Sequence, residues 1–162
     1  MSPYARAYPG GSKWRLARCV LMVTGLLILS GNAATQQSGI TLSVLDQRLT
    51  VEIADTGASR RQGLAHRQVL PGNQGMLFVF REPALHAMWM KDTSIPLSVA
   101  FLDEQGVIIN IADMEPHTLA RHCAERPAKY ALEVNRGWFE HRGVRPGTRI
   151  EGIPRGIATG AR

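Results

Sequence analysis

The chain has 162 residues, 44% hydrophobic and 20% charged, with 19 Lys/Arg against 13 Asp/Glu and a formal charge of +6. Four basic residues (Arg6, Lys13, Arg15, Arg18) and no acidic one fall in the first 33 positions, leaving fifteen basic against thirteen acidic in the rest. That near balance, with no run of five like charges and no Lys/Arg stripe interleaved with aromatics, removes the charge argument for nucleic-acid binding.

The basic start leads into "CVLMVTGLLIL", residues 19–29, and then the small, polar "SGNAA". This is the three-part plan of a secretory signal peptide over residues 1–33, with cleavage after Ala33 or Ala34. The apolar run is shorter than the roughly 20 residues of a comfortable membrane span. A retained N-terminal anchor is the alternative, and membrane contact would then come only through the uncleaved segment. Cys19 opens the apolar run instead of following it, which does not fit a lipid-anchor site. Export to the periplasm or beyond is therefore expected. Removal of the leader leaves Cys123 as the lone thiol, so no internal disulfide supports the fold.

Residues 34–39 read as a linker. "ITLSVLDQRLTVEIAD" alternates apolar positions (Ile40, Leu42, Val44, then Leu49, Val51, Ile53) and predicts a hairpin turning at Asp46–Gln47. Thr56 is placed to cap a helix of about two turns that Gly63 stops. "VLPGNQG" is a loop, "MLFVF" (76–80) a short strand broken by "REP", and "LHAMWMK" (85–91) the next strand. Val99–Leu102 and Val107–Ile111 form a hairpin closed by "DEQG", apolar enough to be buried on both faces. "EPHTLARHCAERPA" is a polar loop and "YALEVN" (130–135) an alternating strand. "RGWFEHRG" is a short helix or turn with Asn135 as its cap, "TRIEGI" (148–153) a last strand, and 154–162 a disordered tail. The predicted class is α+β: a compact, β-rich single domain over residues 40–153. Its sheet is mostly antiparallel and curled, barrel-like, with two short helices.

Signatures of the common hydrolases, zinc proteases, nucleotide-binding folds and thiol-redox enzymes are missing: no G-x-S-x-G, H-E-x-x-H, P-loop, G-x-G-x-x-G or C-x-x-C occurs. No cofactor is implied. What is present is a set of segments in order: "VEIADTGASRRQGLAHR", "GMLFVF", "WMKDTSIPLSVAFLDEQGVI" and "YALEVNRGWFEHRGVRPGTRI". Together, over about residues 49–151, they resemble the family called domain of unknown function 192. The resemblance implies a small β-rich α+β fold and no established activity. Against the family pattern, Asp92 stands at a usual Asn, Ser98 at a usual Asp, Ser59 at a usual acidic position, and Ala65 where Met is frequent.

The stretch "MWMKDT" carries the sharpest choice. On a strand, Met88, Met90 and Asp92 share one face and Trp89 and Lys91 the other. One reading makes Met88, Met90 and Trp89 core, with Lys91 and Asp92 closing a turn before Pro96. The other is a shallow ligand cleft. In it Trp89 is the wall, Lys91 an anion contact, and Asp92 and Thr93 polar contacts, with Arg60 and Glu133 as further contributors. The partner would be a small anionic or polar molecule or an envelope component. A hydrolytic enzyme using Asp92 or Glu133 as base is the second class, and a structural or interaction module of the envelope the third. The loop holding Asp113, Glu115, His117, His122 and Cys123 is richest in metal-ligand types, yet its spacing matches no metal motif. His117, His122 and Cys123 are therefore weak candidates, and no metal site is expected.

Overall fold

The computed structural model describes residues 39–154. The leader, most of the linker and the C-terminal tail beyond residue 154 lie outside the described residues. β1 (Ile40–Val44) and β2 (Gln47–Ala54) form the first antiparallel hairpin, with Leu42 opposite Leu49 and Val44 opposite Gln47. This register keeps Leu42, Val44, Leu49 and Val51 all buried. It also moves the turn one residue earlier than the sequence suggested, to Leu45–Asp46, with Leu45 at φ 55°. A one-residue slip would send the whole apolar set to the other face, so burial decides the turn.

Helix α1 (Gly57–Gln62) is capped as expected. Thr56 Oγ1 accepts from the Ser59 amide, and Ser59 Oγ accepts from the Thr56 amide, a reciprocal pair that satisfies two free N–H groups. Gly63 ends it at a positive φ of 50°. Residues 55–73 form the crossover to β3 (Gln74–Ala84), which runs parallel to β2, the kind of long connection parallel pairing needs. β3 does not stop at "REP": it continues to Ala84 through an irregular register after Val79, the kind of place that tolerates Pro83 in a strand.

The predicted strand 85–91 shrinks to β4 (Ala87–Met88), which pairs only with β7 (His122–Cys123) in a separate two-stranded sheet. Beyond it the Met90 amide bonds the Thr118 carbonyl, and the chain turns at Lys91–Asp92 with Asp92 at φ 57°. β5 (Leu97–Leu102) and β6 (Ile108–Met114) make the second hairpin, and all six β5 residues are buried. Asp103 Oδ1 accepts from the amides of Gln105 and Val107, and Gly106 takes the positive φ that the turn requires.

β8 (Ala128–Asn135) lies between β5 and β3. The expected second helix is absent among the described residues. Gly137 and Gly143, both at positive φ, bound a segment too short for an α-helix, and Glu140–Arg142 form only a 3-10 turn. Asn135 caps nothing; its Nδ2 donates to the carbonyls of Leu70 and Pro71. β9 (Ile150–Glu151) pairs with β1.

The main sheet has the order β6-β5-β8-β3-β2-β1-β9, and β2–β3 is its one parallel pair. Its edges approach each other: Val107 bridges Arg149, and the Ile108 and Ile150 amides bond the Thr148 and Gly106 carbonyls. The result is a β-rich, curled half-barrel with very little helix. Alternate residues feed two cores. Leu77, Val79, Ala100, Leu132 and Val134 belong to one, which also holds Trp138 and Phe139. Met76, Phe78, Val99, Phe101 and Ala131 belong to the other, covered by Leu64, Leu70, Met90 and Ile95 from the irregular segments.

Candidate functional site

The second core is covered by short elements, and a cavity of about 570 Å³ opens between them. Its walls come from α1, from the far end of β3, and from the segment that runs through β4 to Thr93. Glu133 of β8 lies at the bottom, on the same face of its strand as Ala131. The volume falls within the roughly 300–1,000 Å³ of small-molecule sites.

Local sequence builds each wall. The cap at Thr56 starts α1 where Arg60 can reach back, and its Nη1 donates to the carbonyls of Asp55 (2.5 Å) and Val79 (2.8 Å). That guanidinium ties the helix to β2 and β3 and is held rigidly beside the cavity. Gly63 then turns the chain against Phe78; a Cβ there would stand 3.2 Å from the Phe78 ring as well as in a strained conformation. On the opposite side Phe80 and His86 stack with centroids 3.6 Å apart, and the His86 Nε2 lies 3.0 Å from the Glu82 carbonyl oxygen. Trp89 follows β4 with half its surface exposed, while Met90 beside it is buried. Thr93 is buried; its amide donates to the Met90 carbonyl and its Oγ1 to the Lys91 carbonyl, which fixes the turn carrying Lys91.

Glu133 is the anomaly. It is only 4% exposed, between Met76 of β3 and Val99 of β5 in register. Its carboxyl has no hydrogen bond or ion pair within the described residues. Burial disfavours the charged form and pushes its pKa up to about 8. At neutral pH the carboxyl is therefore mostly uncharged. Arg60, Arg61, Arg81 and Lys91 then surround the cavity with positive charge, against Glu82 alone. The arrangement offers an apolar interior, an uncharged carboxyl able to donate and accept, and cationic groups around it.

Of the six residues singled out in the sequence, five (Arg60, Trp89, Lys91, Thr93 and Glu133) line this cavity together. Asp92 does not line it: the residue sits in a left-handed turn, its carbonyl accepts from the His66 amide, and it is exposed. Trp89 also corrects the core reading of "MWMKDT". The strand ends at Met88, so the two-residue alternation lapses, Met90 takes the buried place and Trp89 faces the cavity and solvent. The cavity reaches the sheet at Glu133, deeper than a shallow cleft. Arg81 and His86 were missed because "REP" reads as a strand breaker and His86 as part of the next strand, whereas β3 continues to Ala84 and both residues line the cavity. Arg67 and Glu52 were missed too; they form a two-pronged ion pair at 2.6 and 2.5 Å.

The other candidates lie elsewhere. His117 sits at a positive φ of 59°, and His122 and exposed Cys123 form β7. Among the described residues no three His, Cys, Asp or Glu side chains come together as a metal site. At position 98 a carboxylate is still close by: Ser98 Oγ donates to Asp113 Oδ1 (2.6 Å) and accepts from the Gly137 amide (2.9 Å). Asp113 also faces Arg136, which bonds Glu115 as well. The Glu115 contact helps to hold the Arg136 pKa above its ordinary value. This cluster fastens the Gly137 turn to the β5–β6 hairpin.

Two solved structures are similar to this chain. One is a candidate transcription regulator from Sinorhizobium meliloti 1021, with 37% identity, covering 69% of this chain and 90% of that one at a TM-score of 0.65. The other is a protein of unknown function from Novosphingobium aromaticivorans DSM 12444, with 30% identity, covering 70% and 83% at a TM-score of 0.64. No curated protein matches. The family model described as DUF192, Uncharacterized ACR, matches residues 40–152, the whole of the curled sheet from β1 to β9. With the fold, the segment order and this match in agreement, the chain belongs to the DUF192 family.

Proposed function

We propose that this protein binds a small molecule with an apolar body and an anionic group in the cavity between α1, β3 and the β4 segment. The observation that carries the reading is the convergence of Arg60, Arg61, Arg81 and Lys91 around an apolar space of about 570 Å³ that holds a single buried carboxyl. Cationic groups at an apolar cavity attract and orient anions, and the apolar walls supply area-dependent affinity. Arg60 acts by its fixed charge, since its Nη1 is already committed to two carbonyls. Lys91 and Arg61 are the direct contacts. A hydrolytic role for Asp92 gains no support, because that side chain is not part of the cavity. Nor does the description of one neighbour as a candidate transcription regulator transfer: among the described residues the single α-helix is six residues long, and the basic groups converge on a cavity.

The test is native mass spectrometry of the protein purified from its own cells, followed by release and identification of retained small molecules. A retained anion that is lost in Lys91→Ala and Arg61→Ala supports the reading. Protein that carries nothing and responds to no carboxylate, sulfonate or phosphate overturns it.

We infer further that the protein works outside the cytoplasm. The support is the basic start, the apolar run at 19–29 and the small residues before Ala34. N-terminal sequencing of the cell-envelope form should begin at Ala34 or Thr35. A form that begins at Met1 favours an anchor instead.

A further inference from the structure

We propose that Glu133 reads the buried end of the ligand: its carboxyl donates a hydrogen bond to an oxygen of the ligand's anionic group, so the ligand is held only while that carboxyl keeps its proton. The inference rests on the binding reading above and specifies how the deep end of the same cavity works.

Geometry comes first. Glu133 belongs to an interior strand of the sheet, flanked in register by Met76 and Val99, and its side chain is almost wholly buried. No protein group in the described residues satisfies its carboxyl, yet the cavity reaches it. A buried polar group is ordinarily paired, and one that faces a cavity unpaired awaits a partner from outside. Leu64 and Phe78 line the same space and offer none.

The surrounding charges decide which partner. α1 presents Arg60 and Arg61, β3 presents Arg81 and Glu82, and the segments around β4 present His86 and Lys91. The flanking β5 and β3 residues carry no titratable group. An ammonium group would have to enter past four cations, whereas an anion is drawn in. Burial alone raises the pKa of Glu133 to about 8, so at neutral pH it has an O–H to offer. A hydrogen bond from that O–H to a carboxylate or phosphate oxygen is charge-assisted. Ionised Glu133 would face the anion with like charge and no donor. Ligand binding and ionisation of Glu133 therefore exclude each other, and affinity falls about tenfold per pH unit above the midpoint.

The experiment compares phenylbutyrate with phenylbutylamine, two probes sharing one apolar body, titrated calorimetrically into the full chain from about pH 6.5 to about pH 9.5. Phenylbutyrate should bind with constant affinity up to about pH 7.5 and then weaken about tenfold per unit, taking up about one proton at the alkaline end. Glu133→Gln keeps a donor, so it should still bind and lose the pH dependence. Glu133→Leu should weaken binding at least tenfold at neutral pH. His86→Gln should keep the wild-type slope, which separates Glu133 from the histidine of the wall. Phenylbutyrate binding that is flat with pH, yet weakened by Lys91→Ala, leaves the binding reading standing and overturns the role of Glu133. Phenylbutylamine binding that tightens with pH overturns it in favour of an ionised Glu133. Failure of both probes overturns the binding reading and this inference with it. Independently of any ligand, a carbon-13 titration of Glu133 in the folded chain should centre near pH 8. A midpoint at the ordinary glutamate value overturns the proposal.

Discussion

The two faces of one sheet make two different cores. Inside the curl, Leu42, Leu49, Leu77, Leu132 and Val134 pack in a space bounded by the sheet itself and shut by the bridge from Val107 to Arg149. On the other face, Met76, Phe78, Phe101 and Ala131 come from the same strands, and irregular segments must cover them. Leu64, Leu70, Met90 and Ile95 do most of that covering and leave a gap over Glu133. A curled sheet can enclose one face with its own backbone. The other face depends on loops, and where loops fall short a polar group and a cavity can persist. The enclosed core and the cavity thus lie on opposite sides of the same strands.

The comparison breaks most readily at full-sized core residues. Leu132→Ala on the enclosed side should cost about 2–5 kcal/mol and Phe101→Ala on the loop-covered side about 3–5 kcal/mol, read by denaturant unfolding. If loops relax into the vacated space more easily than strands do, Phe101→Ala falls at the low end of its range. A loss under about 1 kcal/mol for Leu132→Ala would mean the curl does not enclose a packed core.

Glu133→Gln sharpens the contrast through pH. In the unfolded chain this carboxyl ionises near 4.5, in the fold near 8. Between those values the folded state holds a proton that the unfolded state has released. Raising pH through this window therefore favours unfolding; the stability is full below about 4.5 and its loss is complete above about 8. Glu133→Gln should abolish that slope and be the more stable protein at pH 8, by on the order of 4–5 kcal/mol. Parallel stability profiles for the two proteins would show that the site is not dry.

Smaller effects belong to the rim. Arg67→Ala removes the partner of Glu52 and should cost about 1 kcal/mol or less, since both side chains remain partly exposed. Trp89→Ala should change stability by no more than about 0.5 kcal/mol, as for an exposed position, and weaken ligand binding. A loss above about 2 kcal/mol would return Trp89 to the core. Cys123, exposed on β7, should react with a thiol reagent without denaturant.

The enclosed core was the more legible of the two. Period-two alternation at Leu42, Val44, Leu49 and Val51 needs no knowledge of the rest of the chain, and neither does the hairpin closed at Asp103–Gly106. The site was legible by residue type but not by arrangement. Lys91, Trp89 and Glu133 stand out as chemistry, yet what unites them is where β4 ends, and that is set by the two-residue partner β7 more than thirty positions away. The same non-local limit explains why local sequence left Trp89 open between core and cleft wall and why Asp92 was counted among the cleft residues. Asn135 failed as a cap for a related reason: its side chain finds the carbonyls of Leu70 and Pro71, partners that local sequence cannot announce.

The position of β8 has a consequence for how the chain acquires its shape. Eighth in sequence among the described strands, it lies third in the sheet, joining the β5–β6 hairpin to the β1–β2–β3 unit. Until residues 128–135 are available, each of those units keeps an open edge rich in apolar residues, Leu97–Leu102 on one side and Met76–Val79 on the other. Such edges are templates for pairing with another chain. Pairing across so long a span of sequence is also slow, because loop closure comes before the contacts that reward it. During synthesis the domain therefore remains unfinished almost to its end, and a chain cut short before Ala128 is an aggregation-prone pair of half-sheets instead of a smaller stable protein.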